Sequence, residues 1–165
     1  MNRVKITTFT PDNHHDTDTI IIRPPQAYEM AEVIALRNSV LNRTVGQPDQ
    51  IDLSDTDRRT DTIHVAAFDG NHVIATARFD RASGNGAETY LVRRVATDPH
   101  YRRRGIGARA MQLGESIAHE QFGARHFVLH ARQDAIPFYE HLGYTLTGVT
   151  VTHDGDENWE MTKGA

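Results

Sequence analysis

Residues Asp98 to Gln112 read DPHYRRRGIGARAMQ, with three arginines set against two glycines where a helix would begin. Like charges repel and glycine is a poor helix former, so the stretch breaks local rules unless something outside the chain compensates. The chemistry such residues support is anion binding. The first turn of any helix presents unpaired N–H groups and the positive end of its dipole. Gly105 and Gly107 remove the Cβ atoms that would fence an anion off those amides. Arg102, Arg103 and Arg104 add charge and forked donors suited to phosphate oxygens. A diphosphate fits such a cradle best. The same residues also suit a turn that uses glycine for chain geometry alone, beside a solvated arginine face, and the stretch by itself leaves both readings open.

Two familiar phosphate motifs do not apply. GIGARA loosely fits G-x-G-x-x-A, but that fingerprint follows its strand directly and expects an acidic residue about 20 positions later. Here DPHYRRR intervenes, and the next strand offers His130 and Arg132. The Walker pattern G-x-x-x-x-G-K-[ST] is absent.

The elements that must position this cradle follow from periodicity. TIIIRP is β-branched and stops at Pro24, a strand. AYEMAEVIALRNSVLN repeats apolar residues at helical spacing. IHVAAF and HVIATARF flank Asp69-Gly70-Asn71 as a hairpin, and AETYLVRRVAT is a third strand ending at Asp98-Pro99. Arg104 to Phe122 reads as an amphipathic helix of about five turns. HFVLHA is a buried-type strand. DAIPFYEHLGY is a short helix with Asp134 as N-cap and Gly143 as stop. TLTGVTV and NWEMTK close the chain as a hairpin around HDGDE. The order β-α-(loop)-β-β-β-α-β-α-β-β implies a mixed α/β or α+β sheet. Residues 1–18 read as a flexible arm with a short strand at Val4–Thr8, ahead of a single domain over 19–165.

Composition sets the bounds. A chain of 165 residues fits one domain, which at this size buries about 68–70% of its unfolded surface. No apolar run approaches the ~18 residues of a membrane span. Zero cysteines exclude disulfides, a thiol nucleophile and a cysteine-based zinc site. With no apolar leader in MNRVKITTFTPDNHHDTDT, a cytoplasmic location is expected. A net charge of −4 does not indicate a nucleic-acid binder. Arg93, Arg94, Arg102, Arg103, Arg104 and Arg109 make a basic middle, yet only Tyr90 and Tyr101 offer the interleaved aromatics that single strands need. His14-His15 reads as solvated rather than metal-binding, and no metal is expected.

At this point a resemblance is visible. VATDPHYRRRGIGARAMQ resembles the pyrophosphate motif [QR]-x-x-G-x-[GA] of the GNAT superfamily of acetyl-CoA-dependent N-acetyltransferases, with Arg102, Gly105 and Gly107 at its fixed positions. AIPFYEHLGY resembles that family's later motif, a helix carrying F-Y ahead of L-G-[FY], and is similar to a bacterial branch of small acyltransferases with mostly unassigned substrates. The two motifs span residues 91–147. The resemblance implies the GNAT-like fold, a mixed central sheet of about six to seven strands flanked by about four helices. It implies acetyl-CoA as cosubstrate and acetyl transfer to a primary amine, on a small molecule or a peptide, by direct attack in a ternary complex. Homodimers are common among such folds.

Site residues follow from the same resemblance. Backbone groups of Val95, Ala96 and Thr97 would bond the pantetheine arm. Arg102, Arg103, Arg104, Gly105, Ile106, Gly107 and Ala108 would hold the pyrophosphate. The Val95 N–H would polarise the thioester carbonyl. Tyr139, beside Phe138, would protonate the leaving thiolate; without the motif it reads as a core aromatic. Two positions depart from the pattern. Arg132 stands where the family commonly has an amide, which puts its coenzyme contact in question. The strand entering the cradle carries only Glu88 as a carboxylate, set too early to serve as base. His130 and His64 are substitutes, and water is another. The acidic stretch 49–61 could draw in a cationic amine. A coenzyme-holding sensor without catalysis is the alternative function.

Overall fold

A computed structural model describes residues 4–7, 19–41, 55–83, 86, 88–153 and 155–165. His14-His15, the first half of the acidic stretch and Asp154 lie outside them. Eight strands form one sheet: β1 (Val4–Thr7), β2 (Thr19–Arg23), β3 (Ile63–Asp69), β4 (His72–Arg81), β5 (Thr89–Thr97), β6 (His126–Ala131), β7 (Thr145–His153) and β8 (Asp156–Gly164), in the spatial order β1-β2-β3-β4-β5-β6-β8-β7. The helices are α1 (Met30–Leu41), α2 (Ile106–Phe122) and α3 (Ile136–His141). Short 3₁₀ turns precede α1 and α3 and sit at Thr56–Arg58 and Pro99–Tyr101. This is the expected mixed sheet with flanking helices. Val4–Thr7 supplies an additional strand by pairing antiparallel with β2.

Every pairing is antiparallel except β5 with β6, which α2 links by a crossover, as a parallel pair requires. On β3, Val65 and Ala67 join the core under α2, whereas Ala66 and Phe68 join a second cluster with Met30, Val33 and Leu36 of α1. Alternate residues thus face opposite helices, so both faces are covered. That is why β3 and β4 read as near-continuous apolar runs rather than as alternation.

Two boundaries differ from expectation. The third helix starts at Ile136 after a 3₁₀ turn at Gln133–Ala135, so Asp134 lies inside that turn and caps nothing. The middle helix starts at Ile106 rather than Arg104, because Gly105 takes the left-handed conformation (φ 73) as its N-cap. Within α2, Gly114 is a packing requirement: a Cβ there would lie 2.0 Å from the Phe79 ring, itself edge-on to Phe127.

Candidate functional site

The site begins where β5 ends. Asp98 N–H donates to the Ile74 carbonyl at 2.8 Å, tying the strand end to β4. The Asp98 carboxylate accepts the His100 N–H at 2.9 Å, which holds its pKa below the usual carboxylate value. Pro99 then opens the turn. Arg103 (φ 64) and Gly105 (φ 73) are both left-handed, a geometry that points successive N–H groups to one side. Gly105 offers no side chain to cap α2, so the first-turn amides are left for another acceptor. Ile106 is buried and anchors the turn. Arg102, Arg103 and Arg104 are exposed, and the Arg104 guanidinium lies 5.3 Å from the Tyr101 ring centroid. Tyr101 is in turn fixed by its hydroxyl to Asp69.

Gly107 is where the elements converge. A Cβ there would meet Thr97 Oγ1 at 3.0 Å and the Phe138 ring at 3.6 Å. The glycine therefore lets the ends of β5, α2 and α3 sit close. Ala108 lines a hollow of about 560 Å³ that continues from Gly105 along Arg109 and Gln112.

β5 and β6 pair only over Thr89–Leu91 and His126–Val128. Beyond Leu91 they part, so the β6-facing edge of Val92–Thr97 has no strand partner. A β-bulge sits within this free stretch: Arg78 pairs with Arg93 and Thr76 with Ala96, leaving Arg94 and Val95 opposite the single residue Ala77. Arg94 is left-handed (φ 54). A bulge breaks the ladder locally, and the register gives Val95 no partner. The gap is a cavity of about 420 Å³, lined by Val95, His130, Arg132 and Tyr139 among others.

Tyr139 comes to this cavity from α3 and is 9% exposed. Its ring packs edge-on against Phe138 and Tyr144, as the core reading expects, and its hydroxyl makes no hydrogen bond to the described residues. Burial pushes its pKa up to about 12. Tyr144 behind it is tied down, donating to Glu115 at 2.9 Å, while Lys163 holds the other Glu115 oxygen at 2.7 Å.

On the α1 side the sheet carries a buried charge network. Asp57 Oδ1 accepts from Arg37 (2.9 Å) and Arg78 (3.0 Å), and Arg78 also donates to Asp80 at 3.0 Å. Arg37 donates to His64 Nδ1 at 3.1 Å, and His64 Nε2 donates to the Asp57 carbonyl at 2.9 Å. Burial, reinforced by both guanidinium groups, lowers the His64 pKa. Both ring nitrogens are occupied, so His64 cannot serve as a base. Asp57 and Asp61 of the acidic stretch are paired with arginines and offer a cationic amine nothing in the cleft. Glu88 lies at the far, closed end of the β5–β6 pair, ion-paired with Arg125. His130 does line the cleft. Its Nε2 is 3.7 Å from Glu160 Oε2, and its Nδ1 is 3.5 Å from His153 Nε2.

Of the expected site residues, Val95, Arg132 and Tyr139 line the split between strands, whereas Gly105 and Ala108 line the separate hollow beside α2. The buried network and the Arg94 bulge were not anticipated. One signal was present for the bulge: apolar residues fall at Tyr90 and Val92, then at Val95, an alternation that slips by one across the two arginines. Among the described residues no group of three metal-ligating side chains occurs, and no helix is long and apolar enough to cross a membrane.

Comparison with known proteins agrees with this geometry. The profile described as "Acetyltransferase (GNAT) family" matches residues 29–144. A Bacillus subtilis protein described as a candidate acetyltransferase is 33% identical over 130 residues, covering 78% of this chain and 84% of that protein. The crystal structure of a candidate N-acetyltransferase from Lactobacillus plantarum superposes with a TM-score of 0.68 at 26% identity, covering 88% of this chain and 96% of that one. The PaiA N-acetyltransferase of Thermoplasma acidophilum, crystallised with coenzyme A, matches with a TM-score of 0.66 at 16% identity, covering 88% and 99%.

Proposed function

The chain belongs to the acetyltransferase (GNAT) family, and from that premise we propose that it moves an acetyl group from acetyl-CoA to a primary amine by direct attack in a ternary complex. The fold implies a coenzyme A cleft, and the residues present fit one. The amides of Arg102–Ala108 would take the pyrophosphate, helped by the three guanidinium groups. The unpaired edge at Val95, Ala96 and Thr97 would bond the pantetheine arm. The observation that carries this reading is a strand edge without a partner and a buried phenol on one cleft, with a tightly packed glycine at the end of the same strand, where a Cβ would meet Thr97 Oγ1 at 3.0 Å.

In this reading the Val95 N–H, released from the ladder by the bulge, polarises the thioester carbonyl. The amine nitrogen attacks the carbonyl carbon and the carbon–sulfur bond breaks. The amine's surplus proton passes to His130, directly or through water, with Glu160 behind the ring. With a pKa of about 12, Tyr139 is a weaker acid than a thiol near 8.5, so a free thiolate would not strip its proton. Its hydroxyl instead hydrogen-bonds the sulfur as charge builds there, and solvent completes the thiol. Arg132 and Phe138 border the arm.

The test is thiol release from acetyl-CoA across a broad panel of amines, alongside calorimetry with coenzyme A. Saturable binding with release supports the transferase. Binding without release from any amine supports the sensor alternative, and no binding removes both.

A further inference from the structure

We infer that the acceptor half of the cleft is built to hold an oxyanion, so that the acceptor is an amine that also carries a carboxylate or a similar anionic group. The word acceptor rests on the transferase reading above; the anion subsite itself does not.

The bulge carries the argument. Before it, Tyr90 and Val92 point into the core under α2; after it, Val95 packs on that same core and Thr97 reaches Gly107 of α2. The even positions face α2 before the bulge and the odd ones after it. Arg93 and Arg94 therefore leave the sheet on the same face, that of α1, where burial lowers the pKa of Arg37 and the charges on Arg78 and Arg94 add to it. Two adjacent guanidinium groups on one face repel each other. Moreover, Arg94 occupies a left-handed conformation (φ 54) that glycine would adopt without strain and an arginine does not. Backbone geometry alone gives no reason for an arginine at that position. Strain of this kind persists where the site uses it.

The surroundings sharpen the point. Among the described residues no Asp or Glu lines the cavity, whereas Arg78, Arg93, Arg94, Arg132, His130 and His153 do. Arg78 is neutralised by Asp57 and Asp80. Arg93, Arg94 and Arg132 have no ion-pair partner among the described residues, in a chain whose net charge is −4. Forked guanidinium donors match a carboxylate or phosphonate oxygen pair, and the same uncompensated charge repels polyamines and other cationic acceptors. Arg93 and Arg94 are not needed for the coenzyme's pyrophosphate, whose proposed cradle lies beyond Thr97.

The test uses product-type probes, so it does not depend on turnover. N-acetylated amino acids, N-acetylated aminophosphonates and the matching uncharged amides are titrated calorimetrically into the protein saturated with coenzyme A. At least one anionic series should bind tenfold or more tightly than its amides, and which series does so identifies the oxyanion. In the Arg93→Gln/Arg94→Gly double variant that preference should fall to within twofold, while coenzyme A affinity stays within twofold. The change to glycine relieves the left-handed position, so the variant should keep its melting temperature. Equal affinity for anions and amides, no saturable binding of either, or a preference that survives in the variant overturns the inference. Thiol release with polyamines but not with anionic amines overturns it too and leaves the transferase reading standing. Anion binding without thiol release from any amine removes the transferase reading and leaves the subsite.

Discussion

The two halves of the cleft are built on opposite principles. The proposed coenzyme half is contiguous, running from Thr97 to Ala108. It is exposed at Arg102–Gly105, and its recognition elements are main-chain amides shaped by left-handed residues. The proposed acceptor half is assembled from α1, β4, β5, β6 and the β7–β8 hairpin. It is held from below by the buried Arg37–Asp57–Arg78–His64 network, and the specificity proposed for it lies in side-chain identity. A pyrophosphate asks for N–H groups, which nearly any residue can supply if the backbone is bent correctly. An acceptor asks for particular charges at particular places. Substitutions in the two halves should therefore fail differently: by shape in the first, by chemistry in the second.

Tyr139 stands at the junction and should give the largest effect. Removing one hydrogen-bond donor aimed at charge that builds in the transition state typically costs roughly 10²–10³-fold in kcat, so Tyr139→Phe should lower kcat by about that range. Its hydroxyl bonds nothing among the described residues and the ring is retained, so melting temperature and coenzyme affinity should hold. A fall in melting temperature with unchanged kcat would make it a core aromatic only. Next comes Gly107→Val, which breaks the coenzyme half by shape. The contacts of 3.0 and 3.6 Å around a Cβ leave no room for branching. Coenzyme A affinity should fall by about tenfold to a hundredfold, corresponding to overpacking of roughly 1–3 kcal/mol. The relative affinities of anionic and neutral acceptor probes should be unchanged; a shift in them would mean that the halves are not separable.

The same contrast explains what could be read from the chain. The bent helix entrance was legible because its causes are local: Arg102, Gly105 and Gly107 lie within six residues, and a helix entrance has a fixed electrostatic character. The hairpins and the long helix were legible from period and turn chemistry. The Asp57 pairing was not, because Arg37 and Arg78 stand 20 and 21 positions away and only the folded sheet brings them together. His64 looked like a spare base for the same reason: nothing near it in sequence announces the two hydrogen bonds that occupy its ring. Asp134 had the right residue type for a cap, but a 3₁₀ turn shifted the helix start beyond it.

Gly114→Ala probes the scaffold shared by both halves. Alanine is the better helix former by about 1 kcal/mol, so a helix judged by propensity alone would gain. Here the new Cβ would sit 2.0 Å from the fully buried Phe79 ring, which cannot swing away. Overpacking of this kind costs about 1–3 kcal/mol. The net expectation is a lower melting temperature with weaker activity for every acceptor alike. An unchanged or raised melting temperature would show that α2 can slide on β4.

The smallest expected effect separates the halves by pH. Burial holds the His64 pKa in the folded chain below the 6.5 of an exposed imidazole. Between those two values the unfolded chain binds a proton that the folded chain does not. The contribution of neutral His64 is therefore complete above about pH 6.5 and is lost as pH falls, with a slope of at most about 1.4 kcal/mol per pH unit for one proton. A proton on the ring would have to displace the bond that Nδ1 accepts from Arg37, beside two guanidinium groups already sharing Asp57. The damage should begin under the acceptor half. Melting temperature should drop between pH 7.5 and 5.5 more steeply in the wild-type chain than in His64→Gln, whose amide does not titrate. Amide exchange along β3 should rise before that along α2. Equal slopes in the two proteins would show that His64 binds its proton equally in the folded and unfolded chains over this range, and the contrast in pH response between the support and the cradle would then be lost.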